Sequence, residues 1–194
     1  MKKIATLAVA AAAVIATPAL AHEGPYVGII GGYDSVSAKE GGQSESEDEI
    51  MYGIVAGYDM HVSDLIMAGI EVEYSDSDVK IDDEDFDASL RMSRDLYVGG
   101  RLGFHATPST MLYAKAGYTN AQAKLILGND DPKLRASDTF DGFRIGAGVE
   151  HSFDQVGLRL EYRYSDYGNV ELFGEDLGTS LSRHQVVAGV LAKF

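Results

Sequence analysis

The chain has no cysteine, no tryptophan, only four prolines and about half as many basic as acidic residues. Without cysteine, neither disulfide bonds nor a lipidated amino-terminal cysteine is available, so other forces must close the fold. Sixteen Lys and Arg against thirty Asp and Glu give a formal charge of -14, which argues against a nucleic-acid partner because phosphates would be repelled. After the first twenty residues no apolar run is long enough for a membrane helix, which excludes a helical membrane protein.

The first 21 residues have the three-part pattern of a secretory signal peptide. Lysines at positions 2 and 3 precede an apolar stretch over residues 4–16, and Pro18 precedes the small residues Ala19 and Ala21 of an Ala-x-Ala cleavage motif. We therefore expect residues 1–21 to be removed and the exported chain, residues 22–194, to begin at His22. The loss of both lysines leaves 14 basic beside 30 acidic residues, a formal charge of -16.

From Pro25 onward, apolar residues alternate with a second set of residues, which is the period of a β-strand. In the first run Val27, Ile29 and Tyr33 share one face, while Tyr26 and Ile30 share the other. The pattern recurs in eight runs over residues 26–33, 52–59, 68–74, 96–104, 112–118, 143–150, 158–164 and 185–194.

The second face of these runs is rich in Gly, Glu, Arg and Lys, as where Glu71 and Glu73 alternate with Ile70 and Val72. A soluble sandwich gains nothing from glycine on its polar face, whereas a transmembrane barrel turns its apolar face to lipid and its polar, glycine-containing face inward. Closure of an even number of strands also removes unpaired edges, which lipid does not tolerate. The sequence therefore predicts an all-β fold, an eight-stranded antiparallel up-and-down transmembrane β-barrel.

Long and short connections alternate strictly between the predicted strands, as expected when one end of a barrel faces the outside and the other the periplasm. We expect four long loops around residues 35–49, 75–91, 120–138 and 166–181, and three tight turns around residues 61–64, 107–109 and 154–157.

Aromatic residues of the apolar face fall into two levels, which is typical of the girdles at the two membrane interfaces. The level near the long loops contains Tyr33, Tyr52, Tyr74, Tyr118, Phe143 and Tyr164. The level near the tight turns contains Tyr58, Phe104, Phe153 and Phe194.

The chain resembles the small eight-stranded outer-membrane barrels of Gram-negative bacteria, the OmpA-like, OmpX-like and opacity-protein group. The resemblance rests on the opening Tyr26-Val27-Gly28-Ile29-Ile30-Gly31-Gly32-Tyr33, on the Gly57-Tyr58 and Gly117-Tyr118 pairs, and on a last strand that ends in Phe194. It implies that the terminal aromatic residue is the signal read by the barrel-assembly machinery during biogenesis, and that the chain lies in the outer membrane among its lipids.

Charged residues of both signs point into the predicted lumen. An eight-stranded barrel has an interior only about wide enough for side chains, and unpaired charges there are costly, so we expect a salt-bridge network that plugs the lumen. The alternative is a narrow, gated porin-like channel that opens at a pair involving Lys115 or Arg144. The predicted network consists of Glu71, Glu73, Arg101, Lys115, Arg144, Glu150, Arg159, Glu161, Arg163 and Lys193.

The first two long loops are acidic, with residues such as Glu45 and Glu47 in the first and Asp82, Asp83 and Asp85 in the second. Clustered carboxylates suit a hard cation such as Ca²⁺, but the spacing lacks the glycine-containing twelve-residue pattern of a dedicated site. Solvated, mutually repelling loops are the simpler interpretation, and they are also where a host or surface ligand would bind.

The histidine and serine residues give only weak indications of a metal site or a catalytic centre. His61, His105 and His151 lie at the tight-turn end but differ in facing, so no metal or other cofactor is expected. Ser182, His184 and Asp166 share the lipid-facing parity near the long loops. They constitute a hypothetical acyl-transfer centre, without a recognisable oxyanion hole.

The function we expect is structural or interactive, in envelope integrity or adhesion through the acidic loops, and not enzymatic. A narrow channel for small solutes or ions is the second hypothesis, and a lipid-modifying hydrolase of the outer leaflet is the third.

Overall fold

The computed structural model describes residues 23–40, 43–77, 80–83, 88–127, 134–172 and 175–194, and within them the side chains of 23–37, 49–77, 94–122, 139–168 and 182–194. Its strands are β1 Gly24–Glu40, β2 Gln43–His61, β3 Ile66–Ser77, β4 Lys80–Asp83, β5 Ala88–Thr107, β6 Thr110–Leu127, β7 Leu134–Phe153, β8 Val156–Leu172 and β9 Glu175–Lys193. In these ranges no helix is long and apolar enough to cross a membrane.

The strands form one closed antiparallel barrel. Consecutive strands pair with one another except β3 and β4, β1 pairs with β9, and β3 pairs with β5, which closes the sheet. The short strand β4 continues the line of β3 along the same edge of β5, so the nine strands occupy eight strand positions around the barrel. The predicted eight-stranded antiparallel barrel is confirmed.

The registers set the stagger of the barrel. Following Cα partners once around from Tyr26 leads through Gly57, Glu71, Gly99, Gly117, Arg144, Ser165 and Arg183 to Val36 on the starting strand. The return is displaced by ten residues toward the hairpin end. For eight strands this shear corresponds to a tilt of roughly 40° from the barrel axis, within the usual range.

Three tight turns lie at one end of the barrel. Residues 62–65, 108–109 and 154–155 make them, and Asp154 adopts a φ of 56°, a left-handed conformation that aspartate tolerates in two-residue hairpins. All four long connections lie at the opposite end.

The long connections differ from the expected loops, because the strand ladders continue well into them. The pairing of β1 with β2 extends to Glu40 and Gln43, and that of β6 with β7 extends to Leu127 and Leu134. A tilted strand needs only about ten residues to cross the membrane, so strands of 17–20 residues project as paired hairpins. Outside the membrane neither face of a strand has to be apolar, so the sequence alternation that marks a membrane-spanning strand is not required there.

The two faces of the barrel wall are inverted relative to a soluble protein. Aliphatic and aromatic side chains such as Ile29, Ile70 and Leu102 are more than 60% exposed on the outer face. Charged side chains such as Glu71 and Arg144 are completely buried on the inner face. The apolar exterior therefore faces lipid, and the polar interior is the core.

Candidate functional site: the lumen and its two rims

The lumen holds equal numbers of opposite charges among the side chains that the structure describes. Each of them has an oppositely charged partner in the barrel interior. The seven buried carboxylates are Asp34, Asp59, Glu71, Glu73, Asp95, Glu150 and Glu161, and the seven buried cations are Arg101, Lys115, Arg144, Arg159, Arg163, Arg183 and Lys193.

The layer nearest the tight turns is centred on Glu150. This carboxylate accepts from Arg101 at 3.1 Å and from Arg159 at 3.2 Å, and it also pairs with Lys193. The Arg101 guanidinium binds Asp59 with two nitrogens, its Nε lying 2.8 Å from Oδ1. Such two-point guanidinium–carboxylate contacts are directional as well as strong.

Three carboxylates surround the ammonium of Lys115 in the middle layer. Its Nζ lies 2.9 Å from Glu71, 2.5 Å from Glu73 and 2.8 Å from Glu161. It also lies 4.6 Å from the ring centre of Tyr97, in the position of a cation–π contact. The ammonium therefore donates hydrogen bonds to Glu71 and Glu73 and lies within ion-pair distance of Glu161.

The layer nearest the hairpins links Asp34 and Asp95 through Arg183. The guanidinium donates from Nε to Asp34 at 2.7 Å and from Nη1 to Asp95 at 2.9 Å. On the other side of Asp95, Arg144 donates to the same carboxylate and, through Nε, to Ser165 at 2.8 Å.

Contacts between the layers make the network continuous. Arg144 Nη1 lies 3.5 Å from Glu73 and joins the hairpin-side layer to the middle one. Arg159 Nη1 lies 2.7 Å from Glu71 and joins the middle layer to Glu150. A chain of ion pairs therefore runs along the lumen from Asp34 to its far end.

Tyrosine rings fill the space left by glycines on neighbouring strands. Tyr26 lies opposite Gly57 and donates its hydroxyl to Glu71 at 2.6 Å, and Tyr113 lies opposite Gly148 and donates to a carboxylate at the same distance. A Cβ at either glycine would run into the facing phenol. Glycine is needed here for close approach.

The ten predicted network residues are all buried in the lumen, and sequence reasoning missed four further charges there. Asp34, Asp59, Asp95 and Arg183 share the inward parity of their strands, so parity was the signal that could have found them. Three of them, Asp34, Asp95 and Arg183, lie just outside the predicted strand runs, and Asp59 was placed on the inner face without being counted as a charge.

The residues most able to hold a metal ion in the described part of the chain are Glu71, Glu73 and Glu161, whose carboxylate oxygens lie within 4.8 Å of one another. Lys115 Nζ lies among these same oxygens and supplies the positive charge. A metal ion would have to displace this ammonium.

The histidines of the tight-turn rim fall into two groups. His61 and His105 stack with ring centres 5.4 Å apart, and His61 Nδ1 lies 3.1 Å from Glu23. His151 lies elsewhere, within 2.8 Å of the Thr110 hydroxyl. The structure thus brings two of the three predicted rim histidines together.

The hypothetical Ser182–His184–Asp166 centre is organised by tyrosines. His184 Nδ1 lies 2.7 Å from the Tyr162 hydroxyl, and Tyr164 donates to Asp166 at 3.3 Å. Asp166 is the register partner of Ser182, so serine and carboxylate are neighbours across strands. The imidazole that would act as base is oriented by a phenol.

The predicted girdle aromatics lie on the outer face at the two ends of the apolar band. Those near the hairpins and those near the tight turns are exposed or half-exposed. Phe194 ends the chain beside β1, where its N–H donates to Pro25 O at 3.0 Å. Ala19, Ala21 and His22 lie outside the described residues, as do the side chains of Glu45, Glu47, Asp82, Asp83 and Asp85.

A family model described as "Outer membrane protein beta-barrel domain" matches residues 4–194. Among curated proteins, the chain is similar to the 25 kDa outer-membrane immunogenic protein of Brucella abortus, with 30% identity over 157 residues. That alignment covers 79% of this chain and 62% of the relative, so the chain spans less than two thirds of that protein's length.

Solved structures share the fold at low sequence identity. Neisserial surface protein A superposes with a TM-score of 0.58 at 18% identity, over 89% of this chain and all of that one. Ail, the attachment invasion locus protein of Yersinia pestis, gives 0.51 at 16% identity, over 87% of this chain and 99% of that one. With the lipid-facing wall and polar lumen described above, these matches show that the chain belongs to the outer-membrane β-barrel family and is a surface protein of the bacterial outer membrane.

Proposed function

We propose that this barrel is a sealed, rigid platform whose work is done by the hairpins it displays, in adhesion or envelope integrity. The observation that carries the proposal is the continuous ion-pair network, in which seven buried carboxylates meet seven buried cations along the lumen. Every described lumen charge is matched, so the network carries no net charge to attract a passing ion.

Passage of a solute through this lumen would require ion pairs to separate. Lys115 alone contacts three carboxylates within 2.9 Å, and Arg144 bridges two layers. Removing one partner of a buried pair costs about 3–5 kcal/mol, which is many times the thermal energy. A network held this tightly favours a plug over a pore.

The hairpins are where the excess negative charge of the sequence is concentrated. Residues 76–87 alone contain seven Asp and Glu and one Lys. Such a surface favours a cationic or uncharged partner and repels an anionic one.

The Ail protein, which shares the fold, is named for attachment and invasion and was solved in complex with the heparin analogue sucrose octasulfate, a polyanion. The adhesive role we propose here therefore involves a partner of different charge.

The narrow channel remains the second candidate, and bilayer conductance separates it from the plug. We expect no discrete conductance steps from the refolded chain in a planar bilayer, once a heat-dependent shift in gel mobility has shown that the barrel is folded. Lys115→Ala and Arg144→Ala should mainly lower stability. Reproducible unitary steps from the unmodified barrel, altered in size or ion selectivity by either variant, would instead establish a pore.

We also propose that the barrel is not an enzyme, since the Tyr162 contact of His184 supports an interfacial role for that residue. The test is mass spectrometry of lipid A from cells that carry the native chain, the Ser182→Ala variant or a deletion. Identical lipid profiles are expected. A modification that disappears in both the variant and the deletion would establish the hydrolase.

A further inference from the structure

Two histidines and two methionines lie together on the inner face of the barrel at its tight-turn end. His61 and Met67 are register partners on β2 and β3, and His105 and Met111 are register partners on β5 and β6. Register partners point to the same face of a sheet, with Cβ atoms about 5 Å apart. Met67, His105 and Met111 are buried, and His61 is partly exposed. We call these four residues the His–Met cluster.

Contacts between the strands bring the four side chains to one place. The rings of His61 and His105 stack with centres 5.4 Å apart, which joins β2 to β5. Met67 and Met111 belong to one buried cluster. Gly103 is the register partner of Met67, and the Sδ of Met111 occupies the space that a Cβ of residue 103 would need. The thioether of Met111 therefore extends from β6 over β5, toward Met67 on β3.

A cleft of about 700 Å³ connects the imidazoles with the end of the barrel that faces the periplasm. It is lined by His61, His105, Glu23 and residues of the turns that follow β2 and β5. Glu23 Oε2 lies 3.1 Å from His61 Nδ1, and of these three residues Glu23 is the most exposed and His105 the most buried. A cation that enters the cleft therefore meets a carboxylate before it reaches the imidazoles.

The fixed charges around the cluster suit one added positive charge. The nearby lumen carboxylates Asp59 and Glu150 already pair with cations, Glu150 with Lys193. Glu23 pairs with His61, which carries no charge when its imidazole is neutral. A monovalent ion at the cluster would be balanced by the Glu23 carboxylate, whereas a divalent ion would leave one positive charge uncompensated.

We infer that the His–Met cluster binds one soft monovalent metal ion, Cu(I). Thioether sulfur is an uncharged, soft donor that selects Cu(I), and neutral imidazole also binds copper. With metal–nitrogen bonds of about 2 Å, two imidazole nitrogens lie about 4 Å apart across an ion, and rings stacked at 5.4 Å reach this spacing by side-chain rotation. Hard ions prefer carboxylates instead, and the three that meet in the lumen already surround the ammonium of Lys115.

The test is a competition titration of the refolded barrel with Cu(I), kept reduced by ascorbate, against bicinchoninate, whose coloured copper complex fades as the protein takes the ion. We expect one Cu(I) per barrel. Met67→Leu and Met111→Leu keep the packing volume and remove the sulfur, and each should raise the Kd roughly ten-fold or more. The matched control is Met60→Leu, beside His61 in sequence but half-exposed on the outer face, which should bind like the unmodified barrel. The gel-mobility shift verifies that each variant is folded.

The imidazoles are tested in the same titration. His61→Gln and His105→Gln should each weaken Cu(I) binding at least as much as the methionine substitutions. His151→Gln is the matched control, because His151 lies on the same rim but contacts Thr110 outside the cluster. It should leave the affinity for Cu(I) unchanged.

Methionine methyl signals give a measurement that does not depend on the competitor. In NMR spectra of the barrel labelled at the methionine methyl carbons, Ag⁺ serves as a redox-inert ion of the same charge and softness as Cu(I). One equivalent of Ag⁺ should shift the signals of Met67 and Met111 and leave that of Met60 in place.

Three results would overturn the inference. Equal Kd values for Met67→Leu, Met111→Leu and Met60→Leu, with no shift of the cluster's methyl signals, would exclude the thioethers as ligands. Weakening by the histidine substitutions alone, with Zn²⁺ bound as tightly as Cu(I), would assign the imidazoles and Glu23 to a divalent ion instead. Unchanged Cu(I) affinity in all four cluster variants would place the ion elsewhere on the chain.

Discussion

Replacing Lys115 with methionine tests whether the lumen network stabilises the barrel as a coupled unit. Methionine keeps most of the side-chain volume and removes the charge. The variant leaves Glu71, Glu73 and Glu161 without the ammonium that contacts them at 2.5–2.9 Å. The described lumen would then hold seven carboxylates and six cations.

The magnitude follows from what each carboxylate retains. Glu71 keeps Arg159 at 2.7 Å, Glu73 keeps Arg163 at 2.5 Å, and Glu161 keeps a Tyr113 hydrogen bond at 2.6 Å. None is left without a donor, but one buried negative charge is no longer balanced. We therefore expect Lys115→Met to lower the free energy of unfolding by about 3–5 kcal/mol, the usual cost of breaking a buried pair.

A second substitution distinguishes lost charge balance from lost packing. Glu73→Gln restores equal numbers in the double variant, so we expect it to recover about 2 kcal/mol of the deficit and to reveal coupling in a double-mutant cycle. The assay is urea unfolding in lipid vesicles, followed by tyrosine fluorescence and gel mobility, since the chain has eleven Tyr and no Trp. Stability of Lys115→Met within about 0.5 kcal/mol of the parent, or strict additivity of the two substitutions, would refute the coupled network.

Two further predictions concern close packing and processing. Gly57→Ala should destabilise the barrel by about 1–3 kcal/mol in the same assay, because its Cβ would meet the Tyr26 phenol and lie 2.6 Å from the Ile70 carbonyl oxygen. Gly31→Ala, whose nearest atom would be 3.6 Å away, is the control and should be tolerated. Amino-terminal sequencing of the chain isolated from outer membranes should begin at His22, and any other start would contradict the cleavage site at Ala21.

The wall of the barrel was predictable because lipid imposes a strict rule on each strand. Inside the membrane one face of each strand must be apolar. The odd or even position of a residue such as Ile70 or Glu71 along its strand therefore predicts whether it faces the lipid or the lumen. Outside the membrane this requirement no longer applies. For that reason the segment between Ser35 and Glu49 was predicted as a loop, although its two halves pair as strands.

The partners inside the lumen could not be predicted from parity. Arg163 and Glu73 are 90 residues apart in sequence, and Arg183 and Asp34 are 149 apart. Which lumen charges contact one another depends on the shear of ten residues. The shear is set by the register of β1 against β9, and no local sequence pattern predicts it. A stagger different by two residues would keep every parity and change the partners. For Asp34 and Arg183, the boundary of the strand was the further obstacle, since both lie just outside the predicted runs 26–33 and 185–194.

The partition of charge between lumen and surface has a consequence for the hairpins. Seven carboxylates and seven cations cancel in the described lumen, so the excess of sixteen acidic residues in residues 22–194 lies outside these fourteen side chains. Neutralising Asp82, Asp83 and Asp85 to asparagine should leave the unfolding free energy within about 0.5 kcal/mol of the parent, because the sequence predicts solvated carboxylates here and solvated charges contribute little to stability. The same variant should bind a polylysine surface more weakly and with a shallower salt dependence, whereas Ser89→Asn in the same hairpin should change neither. A loss of stability without a change in binding would place these acids in the structural network, and the hairpins would no longer account for adhesion.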